Sequence, residues 1–390
     1  MSVATMRFTA LDTLFFKESR PFETIGGSEL ASLFPPPPRT VAGAIRTAIG
    51  DSLNADWHAF RRDENYTVGG FKLRELIGYN EGLGRLSFKG IWLVSGVERL
   101  YPAPLYLLHK DDAFARLRID EDAVQTHLGR VRLPAIPKEC EGFRPVENLW
   151  LTRSGMERVL AGNVPASSDI RVLNDLYDEE PRLGIARNNH SRTVFKGLLY
   201  QSRHIRPKRK PQLYIETDIA GLGDLQLGRR LVRLGAEGRM AGIERVATPE
   251  FPAAPASTSE HQGVILTLLT PARFKNNSWL PDGFLPREID GVDVWQGTIN
   301  NIRLTIRAAV TGKAMREGGW DMAKHAPRPA QSLIPAGSAW YCTVDDHDLA
   351  RAVKDLHQQR VGEDAELGRG LIACGLWDKK HSTTSNRGEQ

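Results

Sequence analysis

Cysteine is scarce in this chain, and its placement excludes most of what cysteine does. Three occur in 390 residues, Cys140, Cys342 and Cys374, an odd number set far apart with no Cys-x-x-Cys pair. That spacing supports neither a disulfide framework nor a cysteine zinc site, and it fits a reducing cytoplasm. Long apolar runs are missing as well. The longest plausible one, residues 264–269, falls far short of the roughly 20 residues a membrane-spanning helix needs. No basic stretch followed by an apolar core opens the chain, so no signal peptide is expected. No Gly-x-x-x-x-Gly-Lys-Ser/Thr loop occurs, which removes a P-loop nucleotide site.

What is present is ordinary in bulk and uneven in distribution. Hydrophobic residues make up 41% and charged residues 25%, values of a globular protein long enough for two or three domains. The net charge is only +5, yet positions 181–215 hold nine Lys and Arg and no Asp or Glu, leaving the rest of the chain net negative. A concentrated positive segment on a near-neutral protein points to a polyanionic partner. The plainer alternative is a solvated surface hairpin.

The richest stretch is 32–50. Pro35 to Pro38 form a stiff arm without backbone donors. A helix follows, with Thr40 as its expected cap, Val41, Ile45, Ala48 and Ile49 on one apolar face, and Gly50 closing it. Arg39 precedes its first turn and Arg46 lies within it; either could pair with Glu29 or Asp51 as readily as with phosphate. A strand-like run at 6–16 comes before, and further strands are expected at 86–97, 105–109, 193–205, 212–219, 264–269, 303–310, 339–344 and 371–377. Residues 206–211, Arg-Pro-Lys-Arg-Lys-Pro, would form the charged tip of a hairpin spanning 193–219. Region 110–180 reads as a loop-rich insertion and 247–262, with Pro249, Pro252 and Pro255, as a linker. Asp345 and Asp346 are expected to cap a helix with Leu349, Val353 and Leu356 on its apolar face. The expected organisation is an α+β chain of two ferredoxin-like (RRM-like) units with loop-rich insertions, residues 1–246 and 263–378, followed by a polar, disordered tail over 379–390.

Several segments carry a resemblance. They are 14–22 (Leu-Phe-Phe-Lys-Glu-Ser-Arg-Pro-Phe), 36–46 (Pro-Pro-Pro-Arg-Thr-Val-Ala-Gly-Ala-Ile-Arg) and the 182–200 block. Residues 234–239, the stretch from Gly318-Gly-Trp320 to 335–338, and the glycine loop at 368–375 complete the set. Together, in this order, they resemble the RAMP superfamily of CRISPR systems, and more narrowly the third subunit of the type III-B Cmr effector complex. The resemblance implies paired ferredoxin-like units without nuclease chemistry, clasping the repeat-derived 5′ tag of CRISPR RNA. It also implies contact with the large polymerase-cyclase subunit and the backbone RAMP subunits. The large subunit's Gly-Gly-Asp-Asp motif is absent here.

Chemistry then nominates residues. Arg187, Arg192, Lys208, Arg209, Lys210 and Arg239 would neutralise phosphates; Gly368, Gly370 and Gly375, with Arg369, would admit the RNA backbone. Arg20 and Arg46 would line the tag pocket, and Arg39 and His190 are further candidates for RNA contact. Arg239, between glycines, is expected to be exposed with a free guanidinium. No cofactor or metal is called for: the Asp-His pair at 346–347 opens a single amphipathic helix, where acids serve capping. Two alternatives remain open at this point. His190 or His204 could make the chain a metal-independent RNA-processing endonuclease, or the basic segment could dock an acidic protein surface.

Overall fold

In the computed structural model of the chain the described residues are 2–18, 29–188, 190–321, 324–345 and 348–378, without the side chains of 186, 187 and 194–199. Strand β1 (Val3–Ala10) turns Ala4, Met6 and Phe8 to one buried face. Helix α1 (Pro38–Ser52) lays Val41, Ile45, Ala48 and Ile49 into the same interior, as its spacing requires. Thr40 does not cap it. Pro38 is already helical, where a missing N–H costs nothing, and the preceding residue is Pro37. Nor does Gly50 end it: a Cβ there would stand 2.4 Å from the Trp57 ring, so glycine makes room for that ring inside the last turns.

Strand β2 (Ser87–Ser95) follows, then the long strands β3 (Tyr177–Arg187) and β4 (Val194–Pro207), then β5 (Leu213–Ala220) and β6 (Met240–Val246). Four of these make the middle of the first sheet, in the order β2, β5, β1, β6 with antiparallel neighbours. The hairpin expected over 193–219 does not form. β4 pairs instead with β3, from Tyr177 opposite Pro207 to Arg187 opposite Val194, while β5 runs between β2 and β1. Residues 206–211 therefore lie at a turn between two sheets. The reason is physical: β5 has Leu213, Ile215 and Ile219 to bury, whereas the cations of β4 find acids on β3.

Region 110–180 is likewise more structured than expected. It lies between β2 and β5, as an insertion would, but carries strands Arg118–Thr126 and Gly129–Ala135, a helix Arg153–Leu160 capped by Thr152, and two strands that extend the first sheet.

The second sheet is built from β7 (His261–Leu268), β8 (Ile302–Val310), β9 (Ala339–Val344) and β10 (Ile372–Asp378), with helix α2 (Leu349–Leu356) before the last. Its order is β8, β9, β7, β10, extended beyond β8 by a hairpin. β7 is buried on both faces from Gly263 to Leu268, which is why its sequence there is apolar but for Thr267. The cap of α2 is Asp348, accepting from the Arg351 N–H; Asp345 accepts from Thr305 instead, and Asp346 lies outside the described residues. Among the described residues no helix is long and apolar enough to cross a membrane.

A third interior joins the two sheets. Trp92 and Tyr101 from the first meet Ile265, Ala308, Tyr341 and Ala373 from the second, with Met156, Val159 and Leu160 of the inserted helix between them. The stretch expected as a linker is pinned across this junction. Phe251 sits within 6.2 Å of Trp92, 5.8 Å of Tyr101 and 5.6 Å of His357, ring to ring.

Against Trp92 lies a buried ionic network. Arg99 binds Glu216 at 2.9 Å and Asp218 at 2.8 Å; Trp92 Nε1 and Thr5 Oγ1 also donate to Asp218, and Arg7 to Glu216. Removing one member of such a set strands the others without water. Arg99→Ala is therefore expected to lose about 3–5 kcal/mol of stability in urea unfolding, and a loss under about 1 kcal/mol would contradict this account.

Candidate nucleic-acid interface

The basic segment divides along the β3–β4 hairpin. Its lower half is neutralised by acids outside positions 181–215, three just upstream at 178–180 and two, Asp12 and Glu29, near the start of the chain. Arg182 and Arg206 pair with Asp12 and Glu180, Arg203 with Glu29 and Glu179, and Lys208 with Asp178 at 3.2 Å. The pairing moves titration as expected: the Arg182 guanidinium holds Asp12 below the usual carboxylate range, and Arg203 does the same for Glu29. What stays exposed and without an ion pair among the described residues is Arg192 at the hairpin turn and Arg209 with Lys210 at its foot. β4 is 14 residues long, so tip and foot stand about 45 Å apart. The nominated cations that stay exposed thus lie in two separate places, not one.

The other nominated residues scatter. Arg20 lies outside the described residues, and Arg187 closes β3 with its side chain undescribed. His190 is exposed in the hairpin turn, its backbone N–H held by Asn188. Arg39 is occupied by Glu81 at 2.8 Å and Asp364 at 3.3 Å, not by Glu29 or Asp51. Arg46 is half-buried against the Asn80 carbonyl, and burial lowers its pKa. Arg239 is not free: it reaches Asp12 at 3.5 Å and Thr13 at 3.4 Å, and its Nε is buried.

The terminal glycine loop serves the protein's own backbone. A Cβ on Gly368 would stand 2.4 Å from the Gly90 nitrogen on β2, one on Gly370 would overlap the Val361 carbonyl, and one on Gly375 would press on Leu160. Gly368 and Gly370 also adopt positive φ, +84° and +66°. Arg369 is 1% exposed and donates to Glu317 at 2.5 Å. Gly368 thus brings the loop against the first sheet and Gly375 brings β10 against the inserted helix, while Gly370 and Arg369 serve contacts with Val361 and Glu317.

One exposed set was not nominated. Between β8 and β9 an arm at 311–335 presents Lys313, Arg316, Trp320 and Lys324 to solvent. Its signal in the sequence was Trp320 after two glycines with cations on both sides, obscured by Glu317 and Asp321 in the same stretch.

His204, an alternative catalytic residue, is fully enclosed. Its ring stacks on Phe15 at 4.8 Å; Nδ1 meets Thr13, and Nε2 meets Ser202 and Glu237, each at 3.1 Å. His357 is similarly fixed: its Nε2–H donates to the Pro252 carbonyl at 2.8 Å and its Nδ1 accepts from the Cys374 N–H at 3.2 Å. Burial lowers both pKa values from the ordinary 6.5. In the window between folded and unfolded pKa the unfolded chain binds more protons, so this stability is complete above about pH 6.5 and is lost as pH falls below it. Thermal melts are expected to drop between pH 7.5 and 5.5 by more for the wild type than for His204→Gln/His357→Gln. Equal drops would show that neither ring is held neutral.

Fold and site together define a strand-rich α+β protein built around two large antiparallel sheets with several smaller ones, its exposed cations at a hairpin tip, a turn and an arm. The family model described as CRISPR-associated protein (Cas_Cmr3) matches residues 6–377. The chain belongs to this family, as the resemblance of its motifs implied. Among solved structures, it is similar to a chain of the type III-B Cmr-beta complex bound to cognate target RNA, at 16% identity and TM-score 0.45, covering 86% of each chain. A chain of the same type of complex with cognate target RNA and AMPPnP aligns at 14% identity and TM-score 0.44, again over 86% of each. A chain of the apo-state complex aligns at 10% identity and TM-score 0.26, over 63% of this chain and 97% of the other. No curated protein matches the sequence.

Proposed function

We propose that the chain is a non-catalytic, RNA-binding subunit of a type III-B CRISPR (Cmr) complex. It clasps the 5′ repeat-derived tag of the CRISPR RNA beside the large polymerase-cyclase subunit and in contact with the backbone RAMP subunits. Family membership across residues 6–377 carries this reading. The unpaired cations support it: Arg192 at the hairpin turn and Arg209 with Lys210 at the foot are free to meet phosphate. The enclosure of His204 favours this reading over the endonuclease alternative.

The same proposal takes residues 1–246 and 263–378 as two ferredoxin-like units, with 247–262 between them and 379–390 as a tail. Strand order supports it. In chain order, each set of four strands lies fourth, first, third, second: β6-β1-β5-β2 and β10-β7-β9-β8, all antiparallel. The first keeps the helix between its first two strands, α1, and the second keeps the helix before its last strand, α2.

The test is binding of CRISPR RNA, with and without its 5′ tag, by the chain together with the large subunit across a salt series. Tagged RNA is expected to bind more tightly. Arg209→Ala/Lys210→Ala is expected to flatten the log–log salt slope by about 1.4, roughly 0.7 for each single-strand phosphate contact. Equal affinity for the two RNAs would overturn the tag reading, and shortened RNA recovered from the mixture would overturn the non-catalytic one.

A further inference from the structure

The arm at 311–335 carries charges of both signs, and the fold sorts them. It consists of two small ladders, Met315–Glu317 against Gln331–Leu333 and Trp320–Asp321 against Ala326–Pro327. Glu317 and Asp321 face inward, 8% and 7% exposed; Glu317 accepts from the buried Arg369, and Asp321 pairs with Arg328 at 3.2 Å. Arg328 in turn pairs with Glu81. Adjacent strand residues point to opposite faces, so anchoring Glu317 and Asp321 inside commits Arg316 and Trp320 to the outside. Trp320 is 55% exposed, and Lys313, Arg316 and Lys324 are exposed with no ion pair among the described residues.

A large indole left in solvent, flanked by unpaired cations and with the arm's own carboxylates turned inward, has the two parts of a single-strand site: a stacking platform and phosphate neutralisers. Arg316 is four residues from Trp320, at most about 14 Å along the chain. We propose that this face binds an unpaired nucleotide of single-stranded RNA, the base stacked on Trp320 and neighbouring phosphates held by Lys313, Arg316 and Lys324. The choice of RNA rests on the reading above; the site shares no residue with the hairpin tip or foot assigned there. An acidic protein surface would satisfy the three cations but would give the exposed ring no flat partner, so RNA is the occupant the arm favours.

The experiment uses the full chain and a tagless oligouridine RNA across a salt series, with heparin, which has no bases, as the second probe. Trp320→Ala is expected to weaken oligouridine binding about tenfold at unchanged salt slope, with Trp320→Phe retaining most of the affinity. Heparin binding should not change. Lys313→Ala/Arg316→Ala/Lys324→Ala is expected to flatten the oligouridine slope by about 2. Wild-type oligouridine affinity in Trp320→Ala, an equal loss toward heparin, or no oligouridine binding by the wild-type chain would each overturn the proposal. The tag reading is judged by tagged against untagged RNA and this one by a tagless RNA, so either can fall alone.

Discussion

The two sheets depend on one shared interior, and beside it Gly368 packs against Gly90. Strand β2 and the loop before β10 come together backbone to backbone, with no room for a Cβ on the loop side. Around that point Trp92 and Tyr101 fill one side, and Ile265, Tyr341 and Ala373 the other. The inserted helix, laid against Gly375, closes the gap between them. Phe251 and His357 then fasten the chain that crosses from one sheet to the other. A close-packed junction of this kind leaves the two large sheets little room to slide past one another.

Charge is arranged by the same constraint. Arginine is abundant at the junction, but there it is spent on carboxylates: Arg39 and Arg273 on Asp364, Arg369 on Glu317, Arg328 on Asp321 and Glu81. Where the acid is buried or nearly so, as Glu317, Asp321 and Asp364 are, such a pair is a poor candidate for RNA contact, since opening it would leave a carboxylate alone in the interior. Among the described residues, the cations left exposed without such partners are those whose acids are elsewhere or turned away, such as Arg192, Arg209, Lys210 and the outer face of the arm.

Much of the fold was legible because burial imposes pattern. The apolar face of α1 and the largely apolar runs of β7, β9 and β10 were readable, since strands covered on both faces tolerate few polar residues. Pairing was not legible. Nothing in 193–219 says that β4 takes β3 as its neighbour, because the acids that decide it, Glu179 and Glu180, lie upstream of the basic run. Boundaries followed local rules only where tertiary packing allowed: Trp57 overrode the stop at Gly50, and Asp348 took the cap expected of Asp345. The site was legible at the level of family and illegible at the level of side chains, for a related reason. A sequence shows that Arg39, Arg239 and Arg369 are cationic, but only the fold shows that Glu81, Asp12 and Glu317 already hold them.

The glycine loop illustrates how one residue type supports two readings. Glycine permits close approach, and sequence alone does not say to what. At 368, 370 and 375 the approaching groups are Gly90, Val361 and Leu160 of the same chain. That loop is therefore structural, yet it still acts on the surface. By bringing Arg369 into the interior it supplies the donor that draws Glu317 inward, and a strand residue drawn inward sends its neighbour outward. The outward position of Arg316, and with it the unopposed positive face around Trp320, is thus a consequence of the same glycines that close the core.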